Sequence, residues 1–320
     1  MGKYRIGLDM GPTNTKIGLF DESMNVVDSL QTLTDQDADL NQILRFLEKL
    51  TRKLLQKHEL SADDLSGLGL ALPSYIDYEN GVALDTDYMP SLSNAPIRDL
   101  LSERLATRVF LDNDCNAAAL AEHTLGAGVG CDHMIYAALA TGIGGGLILN
   151  GRLYRGAHGL AGEIGHMFVS DTVGYPCSCG VTGCVQSISS GAFMAKYVTD
   201  RIKEGEDSAI LNYAGTLSGI DMVAVGKAFR NDDPLAVEVV NRGAEYLGRM
   251  FHSLNHIFDI NVFVYGGGMS KLGSRFIDRI IEVYRSYTPN DRRYPARFIP
   301  SKFGDTASTV GAALLVGLDG

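Results

Sequence analysis

The sequence has 320 residues, of which 45% are hydrophobic and 21% charged, and it carries a formal net charge of -10 at pH 7. This length and composition predict a globular protein with two packed cores, and the acidic balance disfavours a nucleic-acid partner or an anionic membrane surface. No apolar run approaches the length of a membrane span and the N-terminus lacks the apolar core of a signal peptide, so we expect a cytoplasmic protein that acts on small molecules.

The first third of the chain is predicted to form a sheet that a helix covers. The apolar spacing over residues 40–58 is that of one helical face. Asn113 and Asp114 follow the last predicted strand, and ligands of open α/β sheets bind beyond the carboxyl ends of the strands. Position alone therefore makes this pair a candidate binding site. The predicted strands cover residues 4–9, 16–20, 24–27, 67–72 and 109–111.

The second part of the chain repeats this plan. After a predicted helix at residues 117–124, a strand at residues 134–140 enters a glycine-rich turn and a second strand follows, as in residues 4–20. Later elements are a buried strand at residues 261–265 and an Ala/Gly-rich helix at residues 306–315.

The repeated plan predicts two related α/β halves that face one cleft. No linker of low complexity marks their boundary, so the limits are inferred from the pattern of elements. We expect an N-terminal domain of residues 1–120, to which the last helix, about residues 306–320, returns. The C-terminal domain is expected to cover residues 121–305 and to carry a cysteine-rich loop.

Two turns rich in glycine and threonine predict a phosphate site. Exposed backbone amides in such turns bind anions, and a carboxylate such as Asp9 can hold the hydrated Mg²⁺ that accompanies ATP. One such turn is equally well explained as an ordinary hairpin, but a second, at residues 141–146, favours a shared nucleotide site. The glycine cluster at residues 266–268 is the weakest signal, since such clusters are commonly just turns. The candidate nucleotide-binding residues are Asp9, Gly11, Thr13, Asn14, Lys16, Thr141, Gly142, Gly144, Gly267 and Gly268.

Asp114 is the best candidate for a general base. A kinase must remove the proton of the attacking hydroxyl group, and a carboxylate at a strand end suits that task. Asn113 could orient the same substrate. The alternative is that residues 112–114 cap the following helix, as Asp and Asn side chains do well. The two interpretations can hold for different residues of the triplet.

A compact set of metal-ligating residues follows in the second half. Three of the five cysteines have the spacing C-x-C-x4-C, and a histidine precedes them. A Cys3His set fits one tetrahedral zinc ion, and because protein would fill all four positions we expect a structural ion rather than a hydrolytic one. The alternative is three reduced cysteines without a metal. The predicted ligands are His166, Cys177, Cys179 and Cys184.

Glu163, His166 and Gln186 offer the acceptors and donors that hold vicinal hydroxyl groups of a sugar. His166 could bind zinc through one ring nitrogen and direct the other toward a hydroxyl group. The simpler interpretation of Glu163 is a solvated loop carboxylate, but its place beside the metal motif favours a role in binding.

Together these motifs resemble the ROK family, which joins sugar-responsive repressors and bacterial sugar kinases. The resemblance covers essentially the whole chain. It implies an α/β protein with the actin-like ATPase (ribonuclease H-like) fold, in which two α/β domains surround an interdomain cleft. It also implies ATP with Mg²⁺, a structural Zn²⁺, and phosphorylation of a hexose, usually at its 6-hydroxyl. The matching segments are residues 9–16, 111–118, 141–146, 159–166, 177–184 and 266–268.

The resemblance also implies roles for single residues. Asp114 would be the base, and Asn113, Glu163 and His166 would be sugar ligands. The predicted zinc ligands would keep their role, and the protein would form a homodimer or homotetramer.

Two departures from the family pattern affect phosphate binding and specificity. Pro12 stands where the family usually has a second glycine, and proline removes one backbone amide. Gln186 replaces the glutamate of the usual Cys-x-Glu ending with a neutral amide that can also donate hydrogen bonds. We therefore expect glucose, allose, mannose or an N-acetylhexosamine as the substrate.

The alternative function is that of a non-catalytic sugar sensor or regulator of the same family. The repressors carry an added N-terminal DNA-binding module, and a first strand that begins by about Tyr4 is expected to leave no room for one. The predicted base and the two phosphate turns favour the kinase.

Overall fold

The computed structural model describes residues 3–86, 88–288 and 293–318, which group into two compact units. The first unit consists of residues 1–133, 146–162 and 301–320, and the second consists of residues 134–145 and 163–300. The domain limits predicted at residues 120 and 305 stay predictions, and the last two residues of the predicted segment 306–320 lie outside the described residues. In the part of the chain that is described, no helix is long and apolar enough to cross a membrane.

A five-stranded sheet and three α-helices organise the first part of the chain. Its elements are β1 (Tyr4–Met10), β2 (Asn14–Phe20), β3 (Val26–Leu33), α1 (Leu40–Lys57), β4 (Leu65–Leu72), β5 (Tyr75–Asp77), β6 (Val82–Asp85), α2 (Ile97–Leu105), β7 (Val109–Asn113) and α3 (Asp114–Leu125). The strand order is β3-β2-β1-β4-β7, in which β1 pairs antiparallel with β2 and parallel with β4. Leu47 and Leu54 of α1, at helical spacing, join Leu8 and Leu70 of the strands in one buried core. The predicted helix at residues 40–58 is thereby confirmed.

A second five-stranded sheet repeats the order of the first. The remaining elements are β8 (Met134–Leu139), β9 (Ile143–Leu149), β10 (Arg152–Tyr154), α4 (Gln186–Ser189), α5 (Gly191–Lys203), α6 (Ile210–Ala214), α7 (Met222–Arg230), α8 (Pro234–Phe258), β11 (Val262–Gly266), α9 (Ser274–Tyr287), β12 (Arg297–Pro300) and α10 (Ala307–Leu315). The strand order is β10-β9-β8-β11-β12, and β11 pairs parallel with β8 and β12. Rings from α8, α9, β11 and β12 pack together in the second unit: Phe251, Phe263, Tyr284 and Phe298. The strand, turn, strand plan predicted twice from the sequence is thus present in both sheets.

The last helix, α10, packs against α3, β1 and β4 within the first unit. A Cβ atom at Gly311 would lie 1.7 Å from the carbonyl oxygen of Ala117 in α3, so only glycine permits this approach. Ala312 and Ala313 are fully buried in the same contact. The Ala/Gly-rich composition that predicted the helix is therefore what allows its close packing.

Glu122 of α3 fixes the chain where it enters this last helix. The side chain is 0% exposed. Its Oε1 accepts hydrogen bonds from Ser301 Oγ at 2.5 Å and from the backbone N–H of Phe303 at 3.0 Å. Its Oε2 accepts from the backbone N–H groups of Ala127 at 2.8 Å and Lys302 at 3.1 Å. Because all four partners are donors, a carboxylate satisfies this site.

The third strand differs from its prediction at residues 24–27. The strand β3 begins two residues later and is longer than expected. Met24 has a φ of 63°, in the left-handed region, and so ends a turn instead of starting a strand. The carboxylate of Asp21 holds this turn by accepting hydrogen bonds from the backbone N–H groups of Ser23 and Asn25.

Candidate active site

The first predicted phosphate turn joins β1 to β2 at the edge of the first sheet. Asp9, near the end of β1, is paired directly opposite Lys16 of β2. Between them the backbone N–H of Gly11 donates to the carbonyl of Asn14 at 3.0 Å, and Thr13 is exposed. This closed turn therefore places one carboxyl group and one ammonium group on neighbouring strands.

Two carboxyl groups of the first unit have raised pKa values. Burial and, to a lesser extent, the charge of Asp114 raise the pKa of Asp9 to about 7, while the ammonium group of Lys16 opposes the shift. Burial also raises the pKa of Asp114, against the hydrogen bond that its Oδ1 accepts from the backbone N–H of Cys115 at 2.9 Å. The two carboxyl groups interact electrostatically, so a cation placed near them would favour their ionised forms.

Asn113 caps the helix α3. Its Oδ1 accepts hydrogen bonds from the backbone N–H groups of Cys115 at 2.8 Å and Asn116 at 3.2 Å. Its Nδ2 donates to the carbonyl of Ser74 at 3.3 Å. Asn113 is therefore the residue of the triplet that caps the helix. The helix α3 begins at Asp114, three residues earlier than predicted. The role of Asp114 as a base stays a prediction.

A buried ion pair next to Asn113 was missed by the sequence analysis. Asp112 is 1% exposed, and its Oδ2 accepts a hydrogen bond from Arg155 Nε at 2.8 Å and lies 2.7 Å from Arg155 Nη2. The guanidinium carbon lies 3.8 Å from the ring centroid of Tyr78. Arg155 shortly precedes the motif at residues 159–166, but nothing in the spacing links it to Asp112. The fold alone brings these groups together.

The four predicted zinc ligands converge in the second unit. The ligand atoms of His166, Cys177, Cys179 and Cys184 all lie within 4.8 Å of one another. Cys177 Sγ lies 3.5 Å from His166 Nδ1, and Cys179 Sγ lies 3.5 Å from Cys184 Sγ. Zinc–ligand bonds of about 2.0–2.3 Å place tetrahedral ligand atoms roughly 3.5 Å apart. The donor set therefore fits one zinc ion in both chemistry and size.

His166 directs its two ring nitrogens to different neighbours. The Nδ1 atom faces Cys177, whereas Nε2 lies 3.7 Å from Oε2 of Glu163. A turn of 3-10 helix over Ile164–His166 follows Glu163, and the backbone N–H of His166 donates to the carbonyl of Glu163 at 3.0 Å. This local turn brings the carboxylate of Glu163 to the side of the imidazole away from the cysteines.

Comparison with known proteins settles the family. The profile of the ROK family matches residues 5–318. The chain belongs to the ROK family. A glucokinase from Halalkalibacterium halodurans is 32% identical over 317 residues, which cover 98% of this chain and 95% of that protein. Among solved structures, a ROK family glucokinase from Streptomyces griseus in complex with glucose and AMPPNP has a TM-score of 0.84 at 29% identity, with 98% of each chain covered.

Other ROK relatives are regulators. The DNA-binding transcriptional dual regulator NagC of Escherichia coli is 28% identical over 322 residues, which cover 98% of this chain and 75% of that protein. With the strand order of both sheets, the likeness to the Streptomyces griseus structure identifies the actin-like ATPase fold with two α/β domains, as predicted.

Gln186 is the first residue of α4 and follows the predicted zinc ligand Cys184 by two positions. Its Nε2 donates to Cys177 Sγ at 3.3 Å, and its Oε1 accepts from the backbone N–H of Ile143 at 3.5 Å. Gly142 and Gly144 flank Ile143 at the start of β9. Both polar atoms of the amide therefore contact the protein, and its role as a sugar ligand stays a prediction.

The second glycine-rich turn of this ROK protein lines a cavity of about 970 Å³ in the second unit. Backbone N–H groups at the start of α5 donate to the carbonyls of Ala140 and Thr141, at 2.9 and 3.1 Å. Thr141 and Gly268 both line the cavity, so the fold brings these two predicted nucleotide residues together. Gly267 has a φ of 88°, and a Cβ there would lie 2.4 Å from the carbonyl oxygen of Leu139, which only glycine avoids.

Proposed function

We propose that this ROK protein is an ATP-dependent hexose kinase that phosphorylates the 6-hydroxyl group of its sugar. The observation that carries the proposal is the pair of half-buried carboxyl groups of Asp9 and Asp114, both with raised pKa values, in the unit where Lys16 lies opposite Asp9. The glucokinase relative that aligns over nearly the whole chain supports the reaction. The glucose and AMPPNP of the Streptomyces griseus structure support a sugar and a nucleoside triphosphate as the two substrates.

Asp114 is the proposed general base. It is the first residue of α3, and burial raises its pKa above the ordinary value for Asp. A carboxylate with a raised pKa is a stronger base, as long as it is ionised at the working pH. Asp114 therefore takes the proton of the sugar hydroxyl as that oxygen attacks the γ-phosphoryl group, and Asn113 lies next to it as a proposed sugar ligand.

Asp9 and Lys16 are proposed to serve the phosphates of ATP. Magnesium, when bound, supplies positive charge to the phosphate oxygens, and the carboxylate of Asp9 is the group that would hold it. Lys16 adds a positive charge on the neighbouring strand. The backbone of residues 11–14 and of residues 141–144 is proposed to bind phosphate oxygens, and the cavity beside Gly268 to take the adenosine.

His166 and the three cysteines are proposed to hold a structural Zn²⁺. One imidazole and three thiolates form a closed tetrahedral set, which leaves no position for a reactive water. The set would hold His166 through Nδ1, with Nε2 near the carboxylate of Glu163. The imidazole and the carboxylate would then form a donor and acceptor pair for vicinal hydroxyl groups of the sugar.

Glucose is the first candidate substrate because of the glucokinase relatives. Allose, mannose and N-acetylhexosamines stay candidates because Gln186 changes the charge of a position that is usually acidic in the family. A second candidate function, a non-catalytic sugar sensor or regulator, draws on the likeness to NagC over 98% of the chain. The homodimer or homotetramer and the cytoplasmic location stay predictions.

A coupled turnover screen with ATP and Mg²⁺ against glucose, mannose, allose and N-acetylhexosamines tests the proposal. Asp114→Asn is expected to lower kcat by about 100- to 10,000-fold, because general-base catalysis contributes this much. Stabilisation of the protein by bound sugar should survive in this variant. Asp63→Asn, the same change at an exposed position, is the matched control.

Two results would contradict this assignment. Turnover that survives in Asp114→Asn removes Asp114 from the mechanism. No turnover on any sugar, together with thermal stabilisation by one of them, favours the sensor.

A further inference from the structure

We propose that Gln186 is a positioning residue that connects the zinc site to the second phosphate turn. Its amide contacts both features within the second unit, through Nε2 to Cys177 Sγ at 3.3 Å and through Oε1 to the backbone N–H of Ile143 at 3.5 Å. A Cβ added to Gly142 would also lie 3.5 Å from Oε1, so the amide oxygen lies along the turn. This inference rests on the proposed zinc and nucleotide sites but not on turnover.

The donor side of the amide matches a metal-bound sulfur. Cys177 is 6% exposed, and its Sγ also lies 3.5 Å from His166 Nδ1, within the ligand set. A cysteine that binds zinc is a thiolate, and an N–H donor stabilises that negative charge. A glutamate at position 186 has no proton to donate when ionised, and it would add a second negative charge next to the sulfur. In this chain, replacement of Gln186 by glutamate therefore removes the donor to Cys177 Sγ.

The acceptor side of the amide holds the phosphate turn from a second direction. The start of α5 already holds the carbonyls of Ala140 and Thr141 through backbone N–H groups. Gln186 opens the short helix α4, which leads through Ser190 into α5. The amide oxygen thus adds a contact at Ile143, two residues after Thr141 in the same turn. A shift of Cys177 would therefore reach this turn through the side chain of Gln186, in addition to the backbone path through α5.

Two variants separate the two contacts. Gln186→Glu keeps an acceptor for Ile143 but loses the donor to Cys177, whereas Gln186→Leu is similar in size and loses both. Gln56→Glu, the same chemical change at an exposed position of α1 in the first unit, is the control. Zinc release from the full-length zinc-loaded protein is followed with the chelator 4-(2-pyridylazo)resorcinol. Binding of a fluorescent ATP analogue is measured on the same samples.

We expect zinc release to become about 10- to 100-fold faster in both Gln186 variants, as for other residues that support metal ligands. The Kd of the ATP analogue should stay at the wild-type value in Gln186→Glu and rise by about 3- to 10-fold in Gln186→Leu, which lacks the hydrogen bond to the turn. The control should match the wild type in both measurements.

Wild-type zinc release in both variants overturns the proposal, and so does a wild-type protein that retains no zinc. An unchanged Kd for the ATP analogue in Gln186→Leu overturns the contact with the turn. Zinc release is measured without sugar or turnover, so it decides the inference even if the kinase assignment fails. If Gln186→Glu does not fold, wild-type zinc release in Gln186→Leu, which also lacks the donor, still overturns the contact with Cys177.

Discussion

Asp9→Asn is expected to stabilise the protein while it abolishes the proposed activity. Burial raises the pKa of Asp9 to about 7, whereas the ordinary value of the group is 3.8. Between these pH values the folded protein holds a proton that the unfolded chain has released. The stability contributed by protonated Asp9 is therefore present below pH 3.8 and is lost as the pH rises to about 7.

The size of this effect follows from the linkage between proton binding and folding. Each pH unit within the interval corresponds to about 1.4 kcal/mol, so the change between pH 5.5 and pH 7 is about 2 kcal/mol. Asp9 is only half-buried, and solvent screening reduces the expected value to about 1–2 kcal/mol. Asparagine does not titrate. The stabilisation by Asp9→Asn should therefore be larger at pH 8.5 than at pH 5.5 by this amount.

Urea denaturation of wild type and variant at pH 5.5 and pH 8.5 measures the difference. The buffer must lack magnesium, because a bound cation favours the ionised carboxylate. Asp64→Asn is the control. Hydrogen bonds from the backbone N–H and hydroxyl of Ser61 hold the pKa of Asp64 below its usual value. The change in the free energy of unfolding caused by Asp64→Asn should therefore be equal at both pH values. A stabilisation that stays constant or shrinks between pH 5.5 and pH 8.5 would refute the reasoning, and full activity of Asp9→Asn would refute the proposed role in binding magnesium.

Two further variants test contacts within the first unit. Arg155→Lys keeps the charge but loses the planar contact with Asp112 and the stacking on Tyr78, so we expect a loss of about 1–3 kcal/mol in the free energy of unfolding. We also expect a raised KM for sugar, because Asp112 directly precedes Asn113, the proposed sugar ligand. Urea denaturation and steady-state kinetics check this, and wild-type values in both would contradict it. Glu122→Gln replaces one buried carboxylate oxygen, which accepts hydrogen bonds from backbone N–H groups, with an NH2 group that can only donate. Thermal denaturation should therefore show a loss of about 1–3 kcal/mol in the free energy of unfolding. Exposed Glu103→Gln is its control, and equal melting temperatures of the two variants would contradict the assignment.

Local patterns in the sequence were enough to predict the elements around the candidate site. The amphipathic spacing at residues 40–58 became α1, and both strand, turn, strand segments became paired strands. These predictions held because apolar periodicity reflects which side of a helix or strand faces a core. The third strand was misplaced because the left-handed backbone of Met24, which extends the turn that begins at Asp21, leaves no mark on that periodicity.

By itself, the sequence determined the fold class, through the repeated strand, turn, strand plan and the family motifs. It also identified the candidate metal ligands and the candidate base, because those residues lie close together in the chain or at strand ends. Only the tertiary structure decided that Asp112 pairs with Arg155 and that Gln186 contacts both Cys177 and Ile143. It also decided the raised pKa of Asp9. A pKa and a hydrogen-bond partner depend on burial and on neighbours brought from distant parts of the chain, and residue spacing does not encode those distances.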